Sequence, residues 1–177
     1  MNLEALQRLV AVQQWLYGEA QLLDGRRFDL WLELLDPEIR YRIPSRAFVR
    51  QGDVTDFATW GVERELNTDD SLALIDDDLA GLRARVDRLR TGMGWAETPP
   101  SITRRLVGNV QVLDQDAAGL TVVSNLIMTK VRREERVLFS AERRDRLAPV
   151  DGGFRLRERF VVLDEAVLAS GNLSLLF

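Results

Sequence analysis

Residues 71–92, SLALIDDDLAGLRARVDRLRTG, and residues 101–119, SITRRLVGNVQVLDQDAAG, contain the change of period that decides the fold. In the first stretch Leu72, Ile75, Leu79, Leu82, Val86 and Leu89 step three or four residues at a time, which predicts a helix with one buried face. Asp69 and Asp70 stand at its start and Arg83, Arg85, Arg88 and Arg90 crowd its end, matching the helix dipole, and Thr91-Gly92 supplies a stop. In the second stretch Leu106, Gly108, Val110 and Val112 alternate with mostly polar neighbours, the two-residue period of a strand, and 114–119 reads as a turn.

Downstream the strand period persists. Leu120 to Val131 reads as a second strand, 132–136 as a charged reversal, and Val137, Phe139 and Ala141 as one face of a third strand. After a turn at 149–153, Phe154, Leu156, Phe160 and Val162 form one face of a last strand, with Arg155, Arg157 and Arg159 on the other. Upstream the signals are mostly helical. Asn2 is a cap for a helix carrying Leu6, Leu9, Leu16, Ala20 and Leu23 and ending at Asp24-Gly25. Phe28, Trp31, Leu32 and Leu35 predict a second, short helix stopped by Asp36-Pro37, and Ile39, Tyr41 and Ile43 a half-buried strand ending at Pro44. Residues 45–67 have no clean period; their aromatic residues Phe48, Phe57 and Trp60 suit either a packed flap or a surface used against a partner.

Helices followed by long hairpin-linked strands make an α+β chain. Its economical arrangement is a cone, a strongly curved antiparallel sheet wrapped around a long helix. At 177 residues the chain reads as one domain, 1–177, with a core of its own.

Composition narrows the chemistry. The sequence has no His and no Cys, 24 Lys plus Arg against 28 Asp plus Glu, and a net charge of −4. It therefore supplies no disulfide, thiolate, imidazole base, serine triad with His, Cys-ligated zinc or iron–sulfur ligand. Any chemistry of its own must run on carboxylates, Lys, Tyr, Ser or Thr. The acidic balance argues against a nucleic-acid partner. Glu4 and Arg8 interrupt the apolar stretch a signal peptide needs, and no apolar run approaches the ~20 residues that cross a bilayer, so a soluble cytoplasmic protein is expected.

Two clusters attract a functional reading. Asp76-Asp77-Asp78 suggests a cation site, but on the predicted helix neighbouring positions diverge, so a solvated or partner-facing surface is expected. Glu158 falls on the strand face of Phe154, Leu156, Phe160 and Val162; it is either a buried general base or the partner of an arginine such as Arg143. The row of Arg155, Arg157 and Arg159 suits solvent or carboxylates of another subunit. The apolar tail ending in Leu173, Leu175, Leu176 and Phe177 needs a docking place.

In this order and spacing the residues resemble the small (beta) subunit of Rieske-type aromatic-ring-hydroxylating dioxygenases. The likeness runs from about Leu16 to Phe177. It is carried by EAQLLDGRRFDLWLELL at 19–35, YRIP at 41–44 and DDDLAGLRARVDRLRTGMGWAETPPSITRRLVGNVQV at 76–112. Ser124-Asn125, Phe139, Arg143, Asp145, Leu147, Leu163-Asp164, Asn172-Leu173 and Phe177 continue it. Ile75 departs from a common Tyr and Ala141 from a usual Gly.

The resemblance implies a nuclear-transport-factor-like cone fold without catalytic, cofactor-binding or metal-binding residues of its own. It implies iron and a Rieske iron–sulfur cluster on a partner large (alpha) subunit that dihydroxylates aromatic compounds for catabolism. It further implies a homotrimer within a three-plus-three hexamer. Candidate contacts in such an assembly are Asp76, Asp77, Arg90, Trp95, Arg104, Asn109, Arg159 and Phe177. The alternative is a free-standing isomerase or dehydratase of the same fold, with Glu158 or Asp145 as base and Tyr41 donating to an oxyanion.

Overall fold

The computed structural model describes residues 2–46, 65–66, 73–90, 100–165 and 176–177. Helix α1 (Leu3–Asp24) opens the chain, capped as expected by the Asn2 side chain, which accepts from the Ala5 amide at 2.8 Å. Its other end stops at Gly25. Helix α2 (Phe28–Glu33) leads directly into strand β1 (Leu35–Pro44), which starts earlier than the sequence suggests because Asp36-Pro37 lie inside the strand. Strand β2 (Ala73–Asp77) and helix α3 (Leu79–Arg90) follow. Strands β3 (Ile102–Asp116), β4 (Gly119–Arg132), β5 (Glu135–Val150) and β6 (Gly153–Leu163) complete the sheet.

The six strands are ordered β2-β1-β6-β5-β4-β3 in one curled, unclosed sheet, antiparallel except where β1 runs parallel to β6. The hairpins fall at the three predicted reversals. Gly119 opens β4 at φ +144°, where a Cβ atom would lie 2.2 Å from the Leu147 carbonyl oxygen, so only glycine fits. The long helix of the cone is α1. Its Val12, Leu16, Ala20 and Leu23 are buried in a core shared with Ile39, Tyr41, Leu126, Met128, Phe139, Leu147 and Leu156. Burying such side chains contributes about 1.5–3 kcal/mol each.

The helix predicted from Leu72 to Leu89 is corrected: its first turn is strand β2, and α3 begins only at Leu79. Asp78 marks the boundary, its carboxylate accepting from the Gly81 amide at 2.8 Å in the manner of an N-cap. The acidic run therefore divides between a strand end and a cap. Among the described residues no group of three or more acidic side chains is placed to hold a metal ion.

Two β-bulges correct the predicted faces. In β3, Gly108 pairs with Asn125 and Gln111 with Val123, so Asn109 and Val110 together oppose one residue. The extra residue flips the alternation. Thr103 and Arg105 point inward and Leu106 outward, whereas Val110 beyond the bulge is buried. In β6, Leu156 pairs with Leu147 and Glu158 with Arg146, leaving Arg157 extra. As a result Leu156 and Arg159 are buried, whereas Glu158 is exposed. The expectation that Glu158 faces the core and Arg159 faces solvent is thus reversed.

Candidate functional site

The inside of the cone is where this fold brings titratable groups together, and Arg159 is its centre. Its side chain is 0% exposed and all five of its N–H groups find acceptors. Nη1 and Nη2 reach Glu19 Oε1 and Oε2 at 2.6 and 2.8 Å. Nε and Nη2 reach Asp145 Oδ1 and Oδ2 at 2.8 and 2.7 Å, and Nη1 also donates to the Phe177 main-chain oxygen at 3.0 Å. Each partner comes from a different element: Glu19 from α1, Asp145 from β5, and Phe177 from the chain beyond β6.

Around this centre, Trp31 Nε1 donates to Glu19 at 3.1 Å and Arg143 lies 3.6 Å from the same carboxylate. Tyr41 Oη donates to the Phe177 oxygen and accepts from the Phe177 amide, both at 2.7 Å. The Phe177 ring stands edge-on to Phe139, centroids 5.5 Å apart. Nearby, Asp24 at the end of α1 accepts from Thr103 Oγ1 at 3.0 Å, from the Arg105 amide at 2.8 Å and from the Arg105 guanidinium. A carboxylate at a helix C-terminus is unfavourably placed in the dipole, and Arg105 compensates it.

The electrostatics follow from this packing. Burial alone would raise the Glu19 carboxyl, but Arg159 and Arg143 beside it and the bonds from Arg159 and Trp31 hold it below the usual range. Burial would lower Arg159, yet Asp145 and Glu19 raise it well above the ordinary guanidinium value. Burial raises the Tyr41 phenol. Arg143 is lowered by burial and then by its neighbour Arg159. Glu19 is therefore held ionised, and both it and Asp145 are locked in bonds from Arg159, the opposite of what a proton-abstracting base requires.

The predicted contacts are dispersed. Arg159 and Phe177 lie inside the cone, not on a surface. Asp76 is exposed beside Arg40, 3.9 Å away; Asp77 is paired with Arg85 at 2.7 Å; and Arg90 pairs with Asp29 at the surface. Arg104 and Asn109 are exposed on the outer face of β3. Trp95 and the tail residues Leu173 and Leu175 lie outside the described residues, as does nearly all of 45–67. The ends of that segment meet through Arg46 and Glu65, 2.8 Å apart. Glu158, offered as a base, lines a pocket of about 320 Å³ on the outer face with Arg40, Arg42, Arg144 and Arg146. Asp145, the alternative base, and Tyr41, the expected oxyanion donor, are taken up by Arg159 and Phe177.

The interior position of Glu19 was not read from the periodicity. The signal was present: Val12, Leu16, Glu19 and Leu23 fall on one helical stripe, and a lone carboxylate there demands a buried cation.

On the outer face of β3, β4 and β5, Leu106 faces Ile127 across the strands and Ile102 and Leu138 lie on the same side. They are 66%, 46%, 61% and 58% exposed. A groove of about 540 Å³ runs beside them, lined by Leu106, Asn109, Ile127 and Glu142. Hence the described surface has an unpartnered apolar row on a rigid sheet, while its interior is closed.

Residues 18–170 match the family described as the ring hydroxylating beta subunit. The chain belongs to that family. Among solved structures it is similar to a chain of naphthalene 1,2-dioxygenase, with 24% identity over 99% of this chain and 86% of that one, at a TM-score of 0.78. It is also similar to the beta subunit of benzoate 1,2-dioxygenase from Burkholderia mallei, with 22% identity over 93% and 95% of the two chains and a TM-score of 0.70. A candidate scytalone dehydratase from Novosphingobium aromaticivorans shares the cone at 13% identity, 95% and 94% coverage and a TM-score of 0.61. The ring-hydroxylating beta subunit thus has the curled α+β cone expected from sequence.

Proposed function

We propose that this beta subunit assembles with an iron-bearing large subunit that dihydroxylates an aromatic compound, and holds that assembly together without contributing catalytic groups. In this reading it forms a trimer within a three-plus-three hexamer in the cytoplasm. The Rieske cluster and the mononuclear iron belong to the large subunit, whose Cys and His ligands this sequence lacks. No helix among the described residues is long and apolar enough to cross a membrane.

The observation that carries the proposal is the set of exposed apolar residues Ile102, Leu106, Ile127 and Leu138 on the outer sheet face, interspersed with Arg104 and Thr129. Exposed apolar side chains gathered on a hydrogen-bonded sheet, with polar residues among them, favour a protein partner. The same-fold isomerase or dehydratase reading is less supported, because its base Glu158 is outside the cone and both inner carboxylates are ion-paired.

The test is the double variant Leu106→Glu, Ile127→Glu. Both positions are solvent-exposed, so the isolated chain keeps its circular dichroism and its unfolding free energy changes by no more than about 0.5 kcal/mol per site. Light scattering of the variant mixed with the large subunit shows a lower molar mass than the wild-type mixture. An unchanged complex would refute the role given to this face.

A further inference from the structure

We propose that the pocket of about 320 Å³ on the outer sheet face is a binding site for a hydroxyaryl carboxylate, with arginines around its carboxylate, Phe160 against its ring and Glu158 at its hydroxyl. The strand register lays the site out. Arg42 on β1, Phe160 on β6 and Arg144 on β5 stand side by side across three neighbouring strands. Two residues away, Arg40, Glu158 and Arg146 do the same. Four arginines thus wall a trough whose floor is one aromatic ring and one carboxylate, and all six residues line the pocket.

Neighbouring strands lie about 4.8 Å apart, so the Arg42 and Arg144 backbones are about 10 Å apart across Phe160, a gap that two arginine side chains can close on one anion. Part of the wall is already anchored. Arg146 donates to Thr121 at 2.9 Å and to Asp116, and Arg144 Nε donates to Glu142 at 2.8 Å. Among the described residues Arg40 has one ion pair, with Asp76 at 3.9 Å, and its side chain is 64% exposed. Glu158 is exposed and has no ion pair among the described residues, although Arg40 and Arg146 stand beside it. A carboxylate over the Phe160 row meets guanidinium groups from both sides, and the same groups stack on an aromatic ring. Over Glu158 a second anion would be repelled, so the other end of the ligand has to donate a hydrogen bond. The two rows are about 6.7 Å apart along the strands, which suits a carboxylate and a hydroxyl at opposite ends of one benzene ring.

The test is calorimetric titration of the full chain with 4-hydroxybenzoate and with benzoate, which lacks the donor. Saturable binding of 4-hydroxybenzoate is expected, weakened at least tenfold by Arg42→Gln combined with Arg144→Gln. Benzoate binds the wild-type chain several-fold more weakly. Glu158→Ala removes that difference, because it takes away the acceptor for one ligand and the repulsion against the other. A folded wild-type chain without saturable binding overturns the proposal. So does binding that the double arginine variant leaves unchanged, or a preference for 4-hydroxybenzoate that survives Glu158→Ala. Should the double variant fail to fold, Glu158→Ala, at an exposed position, carries the test by itself. The titrations use the chain without a large subunit, so their failure leaves the assembly reading untouched.

Discussion

Arg159 shows how one side chain can close an interior to proton chemistry. Its planar fork meets Glu19 with one edge and Asp145 with the other, a geometry that a lysine cannot reproduce. Removing one partner of a buried ion pair leaves the rest uncompensated, at about 3–5 kcal/mol. Arg159→Met is therefore expected to lower unfolding free energy by about that amount in urea denaturation, and Arg159→Lys to recover only part of it. A loss below about 1 kcal/mol would mean the network contributes little. The pH dependence has a definite sign. The Glu19 carboxyl titrates lower in the folded chain than in the unfolded one, where it lies near 4.3. Its contribution to stability is present above about pH 4.3 and is lost as pH falls through the folded value. Glu19→Gln lacks that contribution, so the stability gap between it and the wild type narrows as pH is lowered below about 4. A gap that stays constant down to pH 3 would contradict the assignment. Arg159 itself was illegible in the sequence, because strict alternation along 154–162 places it beside the exposed Arg155 and the half-exposed Arg157.

At the scale of elements, the turns and caps were legible because their chemistry is local. Asn2, Gly25 and the reversals at 114–119, 132–136 and 149–153 each signal through their own side chains or their lack of one. Bulges are different. An extra residue leaves the hydrophobic count almost unchanged while moving everything beyond it to the other face, and a period-two reading has no means of seeing it. Asn109 was the one clue: it sits at φ 50°, a left-handed conformation that Asn tolerates better than most side chains. Asn109→Val is expected to destabilise by about 1–2 kcal/mol, while Asn109→Gly stays near neutral. Equal effects of the two in thermal unfolding would show that backbone strain there is not what matters. The division of 72–89 between β2 and α3 was hidden for a related reason. Ile75 fits the helical spacing of Leu79, Leu82 and Val86, and one strand residue cannot break a periodic pattern.

For the whole molecule, the cone follows from the order of its parts. A long amphipathic α1 and four long consecutive strands leave a curled sheet with the helix across it as the compact solution. The sequence could not reveal which end of the chain would fill the cone, since Phe177 reaches it only through tertiary contacts with β1, β5 and β6. Nor could it separate an inner arginine from an outer one. What emerges is a subunit whose polar interior is bound to itself and whose apolar row faces outward. The measurement that tests this most directly is the molar mass of the chain in solution, alone and mixed with a candidate large subunit, with ring hydroxylation followed in the same samples. The account predicts a defined three-plus-three complex, with full hydroxylation only in that complex and no loss of turnover when Glu158 is changed to Gln. A chain that stays apart from every large subunit, and that catalyses an isomerisation or dehydration abolished by Glu158→Gln, would contradict it.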